Sequence, residues 1–279
     1  VRRPALGLAP RMVLYPQLAV LAVASVGAGI ETVLEARDAA AYPMPGQLVD
    51  VDGHGMHLRC AGTGSPTVVL EPGAGDMAST MAWIAPAVAR DTRVCVYDRP
   101  CRGWSDESDA PQDATRVASD LQTLLKAAHV PGPYVLAGHS FGGLYVMAYA
   151  AHYPADVAGM VLVDSTAPTT AGPGPVTPAV RDDVLVRTAS LVSVVSRVGL
   201  GRLYAQLSYG TLPSPAREEV RASVATPATL RSAIDEYIQG NSSMQEAAEL
   251  VTLGAKPLFV LTAGAGSADD WFAKQDGLA

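Results

Sequence analysis

The chain has 279 residues, a net charge of −7 and an apolar share of 49%. That length suits one large α/β domain or two small ones. The acidic balance, with no basic cluster outside the extreme N-terminus, argues against nucleic acid as a partner. Three cysteines, Cys60, Cys95 and Cys101, have neither the count nor the spacing of a zinc site or a disulfide framework. Cys95 falls in an apparent strand and reads as a small buried hydrophobe, with a pair between two of the three left open.

Residues 12–30 are a run of 19 without charge, which as a helix rising about 1.5 Å per residue nearly spans a bilayer core. Arg2, Arg3 and Arg11 precede it; Glu31, Glu35, Arg37 and Asp38 follow. The arginine excess ahead of the run predicts a cytoplasmic N-terminus and an extracytoplasmic bulk. A cleaved secretory signal is the rival, with Val26-Gly27-Ala28 as its small-residue site. The run exceeds a usual signal core, which favours an uncleaved anchor. A buried helix of the globular part would show a polar face, and only Gln17 and Ser25 interrupt this one. Residues 31–41 can prolong the helix, and Tyr42-Pro43-Met44-Pro45-Gly46 reads as a stiff linker.

From Gln47 the pattern changes. Residues 48–51 and 56–59 alternate around Asp52-Gly53-His54-Gly55, which predicts a β-hairpin. Residues 67–70 form a buried strand running into Glu71-Pro72-Gly73-Ala74-Gly75-Asp76. Helix is expected over 79–89, then a strand over 93–97 and a loop from Asp98 to Asp106. Asp113 can cap a helix whose Val117, Leu121, Leu124, Leu125 and Ala128 fall at helical spacing. An apolar strand, 134–137, stops at Gly138, and a helix-compatible segment, 141–151, starts at once. A further strand, 159–163, ends at Asp164. Strands alternating with helices predict a mainly parallel sheet, with its site at the C-terminal ends of the strands.

Residues 169–256 break the alternation. After a Pro/Gly/Thr linker, Thr226 and Pro227 open a helix that Gly240 ends, and Ser243 with Glu246 reads as a capping box. Residues 257–262 resume the sheet. The expected organisation is an anchor and linker over 1–46, a first part of the core over 47–168, a helical cap over 169–256 and an incomplete last part over 257–279.

Gly138-His139-Ser140-Phe141-Gly142 is a G-x-S-x-G set between a strand and a helix, the context that separates a nucleophile elbow from a chance match. With Val69-Leu70-Glu71-Pro72-Gly73-Ala74-Gly75, Tyr97-Asp98-Arg99, Gly103-Trp104-Ser105-Asp106 and the strands ending at Asp164 and Thr262, it resembles the α/β-hydrolase family from about Gln47 onward. The resemblance implies Ser140 as nucleophile and an oxyanion hole from the backbone N–H groups of Ala74 and Phe141. Asp164 is the preferred orienting acid, with Asp269 and Asp270 as alternatives. A capping role for Asp164 through Ser165 and Thr166 competes with that reading. Asp98 and Arg99 are expected to brace the loop beside the site, with Trp104 as a pocket wall or plain packing. The resemblance implies no metal or organic cofactor.

The base is missing from the expected place. In this family the histidine follows the last strand, after the acid, whereas His54, His57, His129, His139 and His152 all precede Asp164. With Val1 in place of Met, an incomplete chain is the simplest expectation, and residues 257–262 would then be an uncovered sheet edge. Removing the base of such a triad costs on the order of 10⁶ in turnover, so the chain as given should be nearly inactive. The complete protein is expected to be a serine hydrolase of carboxylic esters, lipid-like ones included, working through an acyl-enzyme. The alternative is a catalytically inactive, membrane-tethered binding protein on the same fold. A cofactor-free haloperoxidase or epoxide hydrolase is a third reading, the latter opposed by serine in place of aspartate at position 140. The cap would choose the substrate, and its Val184, Leu185, Leu191, Val194 and Val195 read equally as core or as an acyl channel.

Overall fold

The computed structural model describes residues 8–168, 195–264 and 269–278. Helix α1 (Leu8–Ala41) runs unbroken through the apolar stretch and the charged one after it. It is long and apolar enough to cross a membrane, and its apolar part is almost wholly exposed. The Tyr42–Gly46 link leads into β1 (Gln47–Val51), which turns back through Asp52 and Gly53 into β2 (His54–Ala61). Both turn residues have positive φ, 52° and 91°, the geometry that matches a tight hairpin to the twist of its strands.

Strands β3 (Thr67–Glu71), β4 (Val94–Tyr97), β5 (Tyr134–His139), β6 (Val157–Val163) and β7 (Leu258–Leu261) complete one sheet in the order β1-β2-β4-β3-β5-β6-β7. The first two strands join antiparallel; β4 through β7 are parallel. Parallel strands need helices on their faces to bury their apolar residues. Helices α3 (Ala114–Ala127) and α4 (Gly142–His152) supply one such face, with Leu121, Leu124, Leu125, Leu144 and Val146 buried against Val69, Leu136 and Leu162. The opposite face packs Leu70, Val94 and Val96 under Ala78, Met81 and a short helix, α2 (Ala85–Val88). There the uninterrupted helix expected over 79–89 is broken into a 3-10 turn (Ala78–Met81) and α2.

After β6 the described chain is helical until β7: α5 (Leu200–Leu207), α6 (Ala216–Val224), α7 (Pro227–Ile238) and α8 (Gly240–Ala247). Thr226 caps α7 by accepting from Thr229 N. The capping box assigned to Ser243 and Glu246 is not formed. Ser243 is buried within α8, and Glu246 accepts instead from Thr115 N at 2.8 Å, serving the first turn of α3. Side chains three apart on a helix can reach outward as readily as back to their own backbone, and here the packing of α8 on α3 decided it. Val184, Leu185, Leu191 and Val194 lie outside the described residues. Helix α9 (Asp269–Asp276) follows β7, whose Phe259 and Leu261 are exposed.

Cys95 is not a lone hydrophobe. It faces Cys60 across β2 and β4, register partners with Cα atoms 4.1 Å apart, and the two form a disulfide. The bond closes 35 residues of chain. Replacing both by serine is expected to cost about 2–4 kcal/mol, read as a lower urea midpoint than that of the oxidised parent. An unchanged midpoint would show that the β2–β4 pairing does not depend on the bond.

Candidate active site

The elbow is built from backbone geometry. Ser140 sits at φ 53°, a left-handed conformation that costs a non-glycine residue about 1–2 kcal/mol. The surrounding hydrogen bonds hold it there. Ser140 N donates to Val163 O at 3.1 Å, Thr166 N donates to Ser140 O at 3.0 Å, and Gly143 N donates to Ser140 O at 3.1 Å. The flanking glycines make room. A Cβ on Gly138 would lie 2.5 Å from Gly142 O, and one on Gly142 would lie 2.4 Å from Glu71 O. Strand, turn and helix thus meet at van der Waals limits that only glycine meets.

The turn after β3 lies against this elbow. The point where a Gly73 Cβ would stand is 3.3 Å from Ser140 Cβ, from His139 Nδ1 and from Asp76 Oδ2. Neither Ala74 N nor Phe141 N has an acceptor among the described residues. The Ser140 hydroxyl likewise makes no hydrogen bond among them. Burial pushes the Asp76 carboxyl above the usual carboxylate range, against the pull of His139 and Arg99.

A buried ionic cluster fixes that turn. Arg99 is buried at the C-terminal end of β4, and its guanidinium donates to Glu71 Oε1 at 2.5 Å, Pro72 O at 3.0 Å, Gly73 O at 2.7 Å and Glu236 Oε1 at 2.9 Å. Its Cζ stands 5.0 Å over the Tyr145 ring of α4. Glu236, on α7, accepts in turn from Gly75 N at 2.6 Å and pairs with buried Arg102 at 3.0 Å. Arg102 also donates to Thr229 O, at the start of the same helix. One residue of α7, Tyr237, meets Phe141 edge to face with ring centroids 5.4 Å apart. Adjacent residues of α7 thus tie it to the glycine turn by a salt bridge and to the elbow by an aromatic contact. Glu236 and its role carry no local signal, because its partners lie more than a hundred positions away. Glu71, a charge ending an apolar strand, was the one visible hint.

Asp98, expected to brace the loop, does so. It accepts from Ala78 N at 2.7 Å and Trp104 N at 3.2 Å, and pairs with buried His57 at 2.7 Å. The second ring nitrogen of His57 faces Pro45 O. Trp104 edges onto that imidazole and donates to Tyr42 O, tying the loop to the end of α1. With Ala82, Ala85 and Pro213, the pair lines a cavity of about 480 Å³.

Asp164 ends β6 in a left-handed conformation, φ 45°. Its neighbours Val163 and Thr166 are the residues that bond the Ser140 backbone. Its Oδ1 accepts from Trp271 Nε1 at 2.7 Å and Ala263 N at 3.2 Å. The capping interactions with Ser165 and Thr166 are not formed: Ser165 Oγ donates to Gly138 O, and Thr166 N to Ser140 O. Asp269 and Asp270 open α9, and their side chains lie outside the described set. None of the histidines hydrogen-bonds Ser140 among the described residues; His129 bonds its own Lys126 O, and His139 stands beside Asp76. Among the described residues no group of three His, Cys, Asp or Glu side chains could hold a metal ion.

The profile of the alpha/beta hydrolase family matches residues 68–278. An epoxide hydrolase of Acinetobacter nosocomialis superposes with a TM-score of 0.69 at 16% identity, over 91% of this chain and 85% of that one. The enol-lactonase of Burkholderia xenovorans superposes with a TM-score of 0.60 at 20% identity, over 82% and 86%. At such identities the likeness is one of fold. An uncharacterized protein of Schizosaccharomyces pombe is 34% identical over 155 residues, 45% of this chain and 29% of its own length. A vacuolar membrane protein of Saccharomyces cerevisiae is 36% identical over 104 residues, 36% of this chain and 16% of its own. These alignments span less than half the length of either curated relative.

Burial pushes Glu71 up from 4.5 to about 7, outweighing the opposing pull of Arg99 and the hydrogen bond from Tyr97. The folded protein therefore holds the Glu71 proton more tightly than the unfolded chain, and stability falls as pH rises from about 4.5 to about 7. Glu71→Gln removes this dependence. Relative to the parent, the variant is expected to gain about 2–3 kcal/mol between about pH 5 and about pH 8, read from urea unfolding at both. A stability difference that does not change with pH would refute the assignment.

Proposed function

The chain belongs to the alpha/beta hydrolase family, and we propose that it is a serine hydrolase of carboxylic esters with Ser140 as nucleophile. The observation that carries this reading is the Ser140 backbone, held left-handed at the elbow with the Gly73 turn packed against its Cβ. A strained serine at a strand–helix turn stands clear of its own backbone and can reach an incoming carbonyl. In the proposed reaction Ser140 Oγ bonds the carbonyl carbon as its proton passes to a base, and the carbonyl electron pair moves onto oxygen. The N–H groups of Ala74 and Phe141, without acceptors among the described residues, suit that oxyanion. Collapse of the adduct breaks the ester C–O bond, and the alkoxide leaves as the alcohol after taking a proton. Water then cleaves the acyl-enzyme to the free acid and restores Ser140. Asp164, held by Trp271 and Ala263 beside the residues that bond Ser140, is the proposed orienting acid.

The second reading, a binding protein without turnover, draws on one observation: no described histidine hydrogen-bonds Ser140. Membrane attachment through α1, with the remainder extracytoplasmic, is part of the proposal. The length of α1 supports it, and the Cys60–Cys95 disulfide fits an oxidising compartment. An ester of lipid character would suit such a location.

A fluorophosphonate probe applied to the natural full-length protein is expected to label Ser140, and Ser140→Ala to abolish the label. Asp164→Asn should lower p-nitrophenyl ester turnover by roughly 10⁴-fold, while Asp269→Asn and Asp270→Asn leave it near the parent. A folded protein that takes no label favours the binding reading. A large loss at Asp269 or Asp270, with Asp164→Asn active, reassigns the acid.

A further inference from the structure

Helix α5 has two unlike faces. Gly201 and Ala205 are buried, so close to α6 that a Cβ on Gly201 would lie 2.6 Å from Ala225 O. Ala205 joins Met77, Val220 and Val224 in an apolar cluster directly behind the Gly73–Asp76 turn. The outer face presents Leu200, Leu203, Tyr204 and Leu207, which are 51%, 58%, 56% and 83% exposed. Their spacing of three, four and seven puts them in one stripe. The helix contains no acid, and exposed Arg197 precedes it.

What lies beside this stripe identifies its partner. Val198 packs on Gly27 of α1, 3.2 Å from where a Gly27 Cβ would stand. Gly27 is four residues before Glu31, the first charge after the apolar run, or about 6 Å along the helix. The start of α5 is therefore level with the end of the apolar part of α1. Arg202 makes the join. It donates to Glu31 Oε1 at 2.7 and 3.0 Å and to Asp38 Oδ2 at 2.7 Å. Glu31 is 2% exposed, so that a carboxylate at the end of a membrane-length helix is shielded and paired instead of facing lipid. Ile30 of α1 is exposed next to it and lines a shared groove with Leu203 of α5.

We propose that the outer face of α5 lies in the headgroup layer of the bilayer that α1 enters, so that the roof over the candidate site rests on lipid. The proposal depends on the membrane-anchor reading of α1. An amphipathic helix with apolar residues on one side, no acid and a basic flank is the kind that settles about 5–10 Å into that layer. The helix next to the Gly73–Asp76 turn would then separate the cleft from the membrane by its own thickness alone. A substrate leaving the lipid surface would meet the cap before it met water.

The test uses the full chain with Cys101, its free thiol, changed to serine. A single cysteine is introduced by Leu203→Cys or Leu207→Cys and labelled with NBD. Asp91→Cys, at the opposite end of the strands, is the control. The protein is reconstituted into phosphatidylcholine and phosphatidylglycerol vesicles carrying a nitroxide about 5–10 Å below the headgroups. Both α5 labels are expected to shift to the blue and lose roughly half their emission to the nitroxide, with no loss at position 91. Protein that floats with vesicles while both α5 labels stay unquenched overturns the proposal and leaves the anchor intact. Protein that does not float overturns the anchor reading and the proposal with it. Self-quenching between labelled copies, in place of quenching by lipid, assigns the face to a second copy and also overturns it.

Discussion

Arg99 is the point on which the rest of this structure hangs. Its guanidinium is buried at the end of β4 and contacts β3 through Glu71, the glycine turn through two carbonyls, α4 through Tyr145 and the cap through Glu236. A buried cation costs several kcal/mol in lost hydration, and the cost is met only when every donor finds an oxygen. That demand makes the cluster selective about geometry. The turn carbonyls must point inward to reach Arg99, so the N–H groups of Gly73 and Ala74, on the other side of those peptides, point away from it. Glu236 then takes Gly75 N, and Ala74 N has no acceptor among the described residues. The orientation of one candidate oxyanion donor, Ala74 N, is thus tied to satisfying one arginine.

The elbow shows the same logic from the backbone side. A left-handed serine is a local minimum of poor energy, and no residue of its own pentapeptide could hold it. The support comes from Val163 O at the end of β6 and Thr166 N just beyond it, and β6 is itself placed by parallel pairing with β5. Asp164, between those two residues, shares the constraint and takes a left-handed conformation as well. Ser165, at 0% exposure, fills the space left by Gly143 and bonds Gly138 O. Strain at the nucleophile position is therefore spread over the sheet register and carried by hydrogen bonds that the core makes anyway.

The cap is joined at two places of different character. On the inside, Glu236 and Tyr237 hold α7 against the turn and the elbow. On the outside, Arg202 holds α5 against α1. Apolar packing lies beside them, with Met244 and Ala247 of α8 in the main core and Val220 and Val224 of α6 against Met77, but both joins are themselves charged. Such contacts specify orientation more than they add stability, because pairing an ion largely offsets its own desolvation. The cap's position relative to α1 and to the sheet is in this sense set by three acids and three arginines.

Much of this was legible in the residues alone. The hairpin at Asp52-Gly53, the Asp113 cap, the parallel strands and the elbow context of Ser140 all follow from short-range rules of glycine, capping and alternation. The helix of residues 12–41 follows from its composition. These features depend on neighbours a few positions away, and the family resemblance rests on them. The disulfide of Cys60 with Cys95, the transfer of Glu246 from its own helix to α3, the breaking of 79–89 into two short turns and the Glu71–Arg99–Glu236–Arg102 cluster do not. Each joins residues 28 to 137 positions apart or yields to packing by such residues. Periodicity and propensity describe a chain's preferences along itself. Which buried charge meets which other is decided only once the sheet has fixed its order, because at that point an ion either finds a partner within hydrogen-bond reach or has none.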